Sequence, residues 1–248
     1  MHEMKLYDLL HACVAARRGT SNVELEMRLG QMNDSFSPGV PRTVFEQLER
    51  DLVDTSDLCA DPGYTEIVDY FYTLPRGRKV RTRVHFDSST MEMRTEHVEK
   101  RMVTSFIASV SSDAGDTCRV EVSNELPVEC PPQWAFINYV RVKQRRSFID
   151  RRDGGDVWRY ELSRVWSGTT RDSVEHSQHN SEPLYEVECE LVDSLGAYMD
   201  QRNDLEVSKS LHLKMLMLLG YDDADTHIEI SNARNNDGVG LKRQRNQN

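Results

Sequence analysis

The sequence predicts an α+β protein: an antiparallel β-sheet closed into a barrel, its interior charged, with helices packed outside. Three observations carry this. Most candidate strands alternate charged with apolar residues, a period of two that puts each kind on its own face. Short turn signals separate several of the strands, which makes them antiparallel neighbours. The charged faces also tend to segregate by sign. That is repulsive within one strand and complementary once the rows confront each other across an enclosed space.

Each element has its own reason. Residues 4–18 carry Leu6, Leu9, Leu10, Cys13 and Val14 at helical spacing and run into Gly19, a natural C-terminal cap. NVELEMRLG then alternates as a strand, with Glu24, Glu26 and Arg28 on one face and Val23, Leu25, Met27 and Leu29 on the other. SFSPGVPRTVFEQLERDL supplies turn residues and an amphipathic helix over 41–53 through Val44, Phe45, Leu48 and Leu52. YTEIVDYFYTL and KVRTRVHFD flank Pro75-Arg76-Gly77-Arg78 and predict a hairpin whose second strand presents Lys79, Arg81 and Arg83.

EHVEKRMVTSFIASV and CRVEVSNEL are the next strands, the latter aligning Arg119, Glu121, Ser123 and Glu125 opposite Val120 and Val122. WAFINYVRVKQRRSF sets Arg141, Lys143 and Arg145 against Val140 and Val142. VWRYELSRVW sets Arg159, Glu161 and Ser163 against Tyr160 and Leu162, and RDGGD between these two strands reads as a hairpin turn. TTRDSVEHSQHNSE, residues 169–182, is polar and unpatterned and predicts a surface loop with His176 and His179 in solvent. PLYEVECELV stacks Glu186, Glu188 and Glu190 on one face and Val187, Cys189 and Leu191 on the other. A last helix around 205–219 offers Leu205, Leu211, Leu213, Leu216 and Leu218, and the Asn-, Gly- and Arg-rich residues 232–248 predict a disordered tail. Residues 1–231 read as a single domain.

Composition narrows the function classes. The 248 residues are 38% hydrophobic and 29% charged, enough for a sizeable core. A formal net charge of −10 argues against an extended nucleic-acid surface, while 31 Lys and Arg leave room for a basic pocket that holds one phosphorylated end. Five cysteines without C-x-x-C spacing argue against a disulfide framework and a zinc site and predict a reducing, intracellular setting. No apolar run reaches the ~20 residues of a membrane span, so no membrane association is expected.

Why stack three glutamates on one strand? Two unit charges 4 Å apart cost about 4 kcal/mol at an effective dielectric of 20 and only ~1 kcal/mol in bulk water. On a wet outer face the row is tolerable; inside a barrel it calls for a cation. Magnesium or manganese prefers oxygen ligands, commonly with phosphate oxygens completing the shell, and facing rows of Arg and Lys suit a polyanion. The expected ligand is a phosphate chain with Mg2+ or Mn2+.

The paired glutamates of ELEMRLG and the triple glutamates of YEVECEL resemble the two signature strands of the triphosphate tunnel metalloenzymes. With RVKQRRSF and WRYELSRV between them, the chain looks most like their metal-dependent mRNA 5′-triphosphatase branch, the cap-forming enzymes of fungi, protozoa and some large DNA viruses. Its size is most like the kinetoplastid-type members. The resemblance spans roughly residues 20–193 and implies a tunnel of eight antiparallel strands. It further implies that Glu24, Glu26 and Glu190 ligate the metal and that Glu186 and Glu188 order water and basic side chains at the same end. Arg141, Lys143, Arg145, Arg159, Arg81 and Lys100 would hold the triphosphate, with Arg83 and Arg101 as alternatives to the last two. Glu125, or else Glu121, would position the attacking water. Glu161 and Ser163 stand where the family often has Asp and Thr, and Leu29 stands where it often has an aromatic residue.

The activity so implied is removal of the γ-phosphate from 5′-triphosphate RNA, leaving a diphosphate end. The resemblance implies nuclear residence, and because no guanylyltransferase lysine motif appears, guanylyl transfer is expected to fall to a separate guanylyltransferase as the candidate partner. Within the same fold, cleavage of tripolyphosphate, thiamine triphosphate or free nucleotides is the alternative. Outside it, a non-catalytic interaction barrel is.

Overall fold

A computed structural model describes residues 2–18, 22–56, 58–60, 63–87, 91–109, 117–133, 135–150, 157–192, 201–220 and 229–231. The strands are β1 (Val23–Met32), β2 (Phe36–Pro38), β3 (Leu58–Ala60), β4 (Thr65–Thr73), β5 (Lys79–Asp87) and β6 (Glu92–Ser109). They continue with β7 (Thr117–Pro127), β8 (Ile137–Asp150), β9 (Trp158–Gly168), β10 (Leu184–Leu191) and β11 (Glu229–Ser231). The helices are α1 (His2–Arg17), α2 (Arg42–Asp54), α3 (Arg171–Asn180) and α4 (Asp204–Leu218). Hydrogen bonding runs β10-β9-β8-β4-β5-β6-β7-β1, and β1 pairs back onto β10, so eight antiparallel strands close a barrel. Short β2, β3 and β11 extend the sheet beside β1, β8 and β6. Closure leaves the barrel strands without a free edge along their paired length, and every strand has an inner and an outer face.

The outer face is the dry one. Leu25, Met27, Val120, Val122, Val187 and Cys189 are all fully buried in one apolar cluster, together with Leu10 and Val14 of α1, Phe45 and Leu52 of α2, and Leu211 and Met215 of α4. Burying each such side chain stabilises the fold by about 1.5–3 kcal/mol. The helices predicted to cover the barrel therefore do so. In α4 the buried stripe follows 207, 211, 215 and 218, while Leu205 and Leu213 lie exposed on the opposite side. Four-residue spacing selects the packed face there, rather than the count of leucines.

One expectation is overturned. The segment 169–182 is not a loop: it holds α3, started by a capping box in which Thr170 and Ser173 exchange hydrogen bonds. Val174 seats the helix on Val68, Val140 and Val142 outside the barrel. Gly168 permits that approach, since a Cβ there would lie 2.2 Å from Ser173 Oγ. His176 and His179 are on this helix and reach its surface.

On β6 the alternation breaks where Met102 pairs with Ser123 but Thr104 pairs with Val122, leaving Val103 as the extra residue of a bulge. Before the bulge the even positions face inward and Lys100 lines the bore; after it Phe106 and Ala108 face outward into the helix-covered core. β8 and β9 pair as the predicted hairpin. The RDGGD turn, Gly19, Trp134 and the tail 232–248 lie outside the described residues.

Candidate active site

The barrel encloses a tunnel of about 580 Å³. Its acidic wall comes from Glu24 and Glu26 of β1, Glu188 and Glu190 of β10, and Glu121 and Glu125 of β7. Register places Glu26 between Glu190 on one side and Glu121 on the other. The basic wall comes from Arg141, Lys143 and Arg145 of β8, Arg81 and Arg83 of β5, and Lys100 of β6, with Arg159 of β9 beside them. The opposed rows foreseen from the alternation thus share one bore. A second cavity, about 340 Å³ between β1, α2 and the end of α4, lies outside the barrel, and Asp51 is the one charged residue in its lining among the described residues.

The lumenal charges are buried and engaged. Lys100 Nζ sits 3.1 Å from Glu26 Oε1 and in closer contact with Glu24, whose Oε2 also accepts from Ser123 Oγ at 3.3 Å. Arg28 reaches Glu188 at 2.8 Å and Glu26 at 3.1 Å. Arg145 contacts Glu161, reaches Glu188 at 3.3 Å and donates from Nε to Ser163 Oγ at 3.2 Å. Arg159 bridges Glu190 at 2.5 Å and Glu161 at 2.9 Å. Arg81 meets Glu125 at 3.1 Å, and Arg141 meets Glu186 at 2.6 Å.

The buried carboxylates differ in how far their neighbours compensate their charge. Burial, reinforced by the neighbouring Glu26 carboxylate, pushes Glu24 up to about 8 despite Lys100. Burial also raises Glu190, against the pull of Arg159. Burial works to raise Glu26 too, but Arg28 and Lys100 outweigh it and hold that carboxyl at about 2. Burial likewise works against the charge on Glu188, which Arg28, Lys143 and Arg145 keep well below the usual range. On the other wall, burial and then Arg141 bring Lys143 down to about 8.

Lys100 therefore leaves Glu24 under-compensated, and Arg159 leaves Glu190 so. Among the described residues no three acidic, His or Cys side chains are already gathered around a common point for an ion. Glu24 and Glu26 are held by Lys100, and Glu190 by Arg159. An all-carboxylate donor set in which Glu24 and Glu26 already share one cation fits a hard divalent ion.

The alternatives left by the sequence resolve unevenly. Arg101 points outward and pairs with Glu99, so Lys100 is the lumenal residue. Arg81 and Arg83 both line the tunnel, as do Glu121 and Glu125. Glu186 and Ser163 are fully buried within the inner wall, where they orient Arg141 and Arg145. Sequence reasoning missed Asp69, which is buried, bonds Arg83 at 2.7 Å and stands 3.7 Å from Lys143. Arg83 and Lys143 outweigh burial and hold its carboxyl well below the carboxylate range. It also missed Phe71, His85 and Glu96 in the tunnel wall.

The model of the family described as "mRNA capping enzyme, beta chain" matches residues 35–220. Among solved structures, the RNA triphosphatase Pct1 of S. pombe superposes with a TM-score of 0.61 at 16% identity, covering 90% of this chain and 93% of that one. Pct1 in complex with the Spt5 CTD gives the same score and identity, covering 90% and 94%. The RNA triphosphatase domain of the mimivirus mRNA capping enzyme gives 0.53 at 11% identity, covering 86% and 97%. At such identities the likeness establishes the tunnel fold. No functionally curated protein matches the sequence.

Proposed function

Because the chain belongs to the family of mRNA capping enzyme beta chains, we propose that its tunnel hydrolyses the γ-phosphate of 5′-triphosphate RNA in the first step of cap formation, with a divalent metal. One observation carries the reading: carboxylates and guanidinium or ammonium groups converge from facing walls on a single buried bore. A metal–triphosphate complex supplies both of the charges these walls lack.

Arg141, Lys143 and Arg145, with Arg81 and Arg159, bind the phosphate chain and neutralise the charge that spreads over the γ-phosphoryl oxygens as the bond to the β-phosphate loosens. Lys100 turns from Glu24 and Glu26 to the phosphate. Glu24, Glu26 and Glu190 would hold the metal, which serves as Lewis acid and template. Glu125, set beside Glu24 on the β1–β7 side, orients water in line with the leaving oxygen. Glu186, Glu161 and Ser163 keep the cations aimed. The product is a 5′-diphosphate end, the acceptor for guanylyl transfer, so a separate guanylyltransferase and nuclear residence belong to the same reading.

The test is release of labelled phosphate from γ-labelled triphosphate RNA, with and without Mn2+, alongside tripolyphosphate, thiamine triphosphate and ATP. The expected result is Mn2+-dependent release from RNA that leaves a diphosphate end. Turnover of the small substrates alone would overturn the RNA assignment, and no release from any of them would overturn the enzyme.

A further inference from the structure

Among the described residues, the tunnel wall carries a Phe or Tyr ring at one end only. On β4 the inward positions run Ile67, Asp69, Phe71, and on β8 they run Tyr139, Arg141, Lys143, Arg145. Phe71 pairs in register with Tyr139 on one side and with Arg81 on the other. The two rings stand 5.9 Å apart at 49°. Phe71 lines the tunnel, half-buried, while Tyr139 is 41% exposed. They therefore form a tilted aromatic pair on the rim, one inward position beyond Asp69 and Arg141, or about 6.6 Å along the strand at ~3.3 Å per residue.

The same rim carries the β4–β5 hairpin. Its tip Pro75-Arg76-Gly77 and the following Arg78 and Lys79 are exposed, and Arg76 holds a φ of 65° in the left-handed region. Phe136 lies just before β8 at this mouth, 82% exposed. The opposite mouth is lined by Thr65, His85, Arg94, Glu96 and Ser147, with no Phe, Tyr or Trp in its wall among the described residues. Packing alone gives little reason for the arrangement, because a rim Tyr in ring contact with a lumenal Phe covers no core.

Aromatic rings interleaved with basic side chains are how single-stranded nucleic acid is held without regard to sequence: bases stack on the rings and the backbone follows the cations. We propose that Phe71 and Tyr139 form the platform on which the first nucleobase of the substrate stacks. The RNA then enters by this mouth, its triphosphate reaching inward past Arg81 and Arg141 and its following phosphates lying along Arg76, with Arg78 held beside them by Glu99 at 2.7 Å. This rests on the RNA-triphosphatase reading and adds to it the residues that choose RNA over a bare phosphate chain. Because every base presents a ring face, the platform is indifferent to which nucleotide comes first.

The experiment compares the KM for triphosphate RNA with that for tripolyphosphate in the wild type, Tyr139→Ala, Phe71→Leu and Tyr139→Phe, with thermal midpoints recorded. Phe71→Leu keeps apolar volume in the wall but removes the ring. Tyr139→Ala and Phe71→Leu should raise the ratio of the two KM values about tenfold, and Tyr139→Phe should leave it near the wild-type value. Triphosphate RNA with 2-aminopurine at its first position should be quenched on binding wild type and much less on binding Tyr139→Ala. An unmoved ratio or unchanged quenching, with the wild type active on RNA, overturns the platform and leaves the enzyme reading intact. A wild type that cleaves tripolyphosphate but never RNA overturns both.

Discussion

The half of the barrel that carries the carboxylates and the half that carries the β4–β5 hairpin are built differently on the outside. Behind Glu24, Glu26 and Glu190, the outward residues of β1 and β10 are sealed under helices, with Leu25, Met27, Val187 and Cys189 fully buried. Behind Arg81, Arg83 and Asp69, Val68, Val80 and Thr82 are buried while Tyr70 and Val84 are only partly so, and α3 is the helix packed on this side among the described residues. In the proposed reading these carboxylates hold a metal, whose ligands need fixed mutual distances, and close packing from behind provides them. A mouth that must admit a polymer needs no such backing. Helix cover in this fold follows the carboxylates, and the hairpin half carries less of it.

The comparison breaks first if the carboxylates are dispensable. Glu24→Ala, Glu26→Ala or Glu190→Ala should each lower turnover about 10³-fold, roughly 4 kcal/mol of barrier, with the thermal midpoint retained. Steady-state phosphate release together with a melting curve checks both halves of that statement. Next is the stability contrast: Leu211→Ala in α4 should cost about 3 kcal/mol in urea unfolding, against under ~1 kcal/mol for partly buried Val84→Ala. Equal costs would erase the difference between the halves.

Arg145→Ala removes a cation that bonds Ser163 and Glu188 and should act through phosphate binding. Its KM for tripolyphosphate should rise about tenfold, near 1.4 kcal/mol. The smallest expected effect concerns pH. Lys143, lowered to about 8 by burial and Arg141, is charged below that value and loses its proton above it. Bound phosphate raises the value further, so metal-free tripolyphosphate affinity should fall only as pH rises beyond 8. Lys143→Arg, which keeps its charge, should flatten the fall in a calorimetric titration.

Legibility in the sequence tracks strictness of alternation. β1 and β10 were readable because Glu-x-Glu spacing coincides with an unbroken apolar row, and β8 because its basic row faces valines. β4 was not: its inner row mixes Ile67, Asp69 and Phe71, while its outer row includes Glu66 beside Val68 and Tyr70, so no charge pattern marks either face. Asp69 and the aromatic rim stayed hidden for that reason. On β6 the bulge at Val103 resets the parity, and period-two counting cannot choose between Lys100 and Arg101. α3 escaped because a single apolar residue, Val174, seats it, and its capping box uses Ser173 where the recognisable pattern has Glu or Gln. The three-residue strands β2 and β3 are too short to show any period.

The most direct measurement is Mn2+ binding followed by electron paramagnetic resonance in the presence of tripolyphosphate, on the wild type and on Glu26→Ala. One ion bound per chain in the wild type, with phosphorus resonances of the bound anion broadened by it, and no such ion in the variant, is the result this account predicts. Undiminished Mn2+ binding by Glu26→Ala, or bound tripolyphosphate whose resonances never feel the ion, would contradict a single bore in which acidic and basic walls hold the two together.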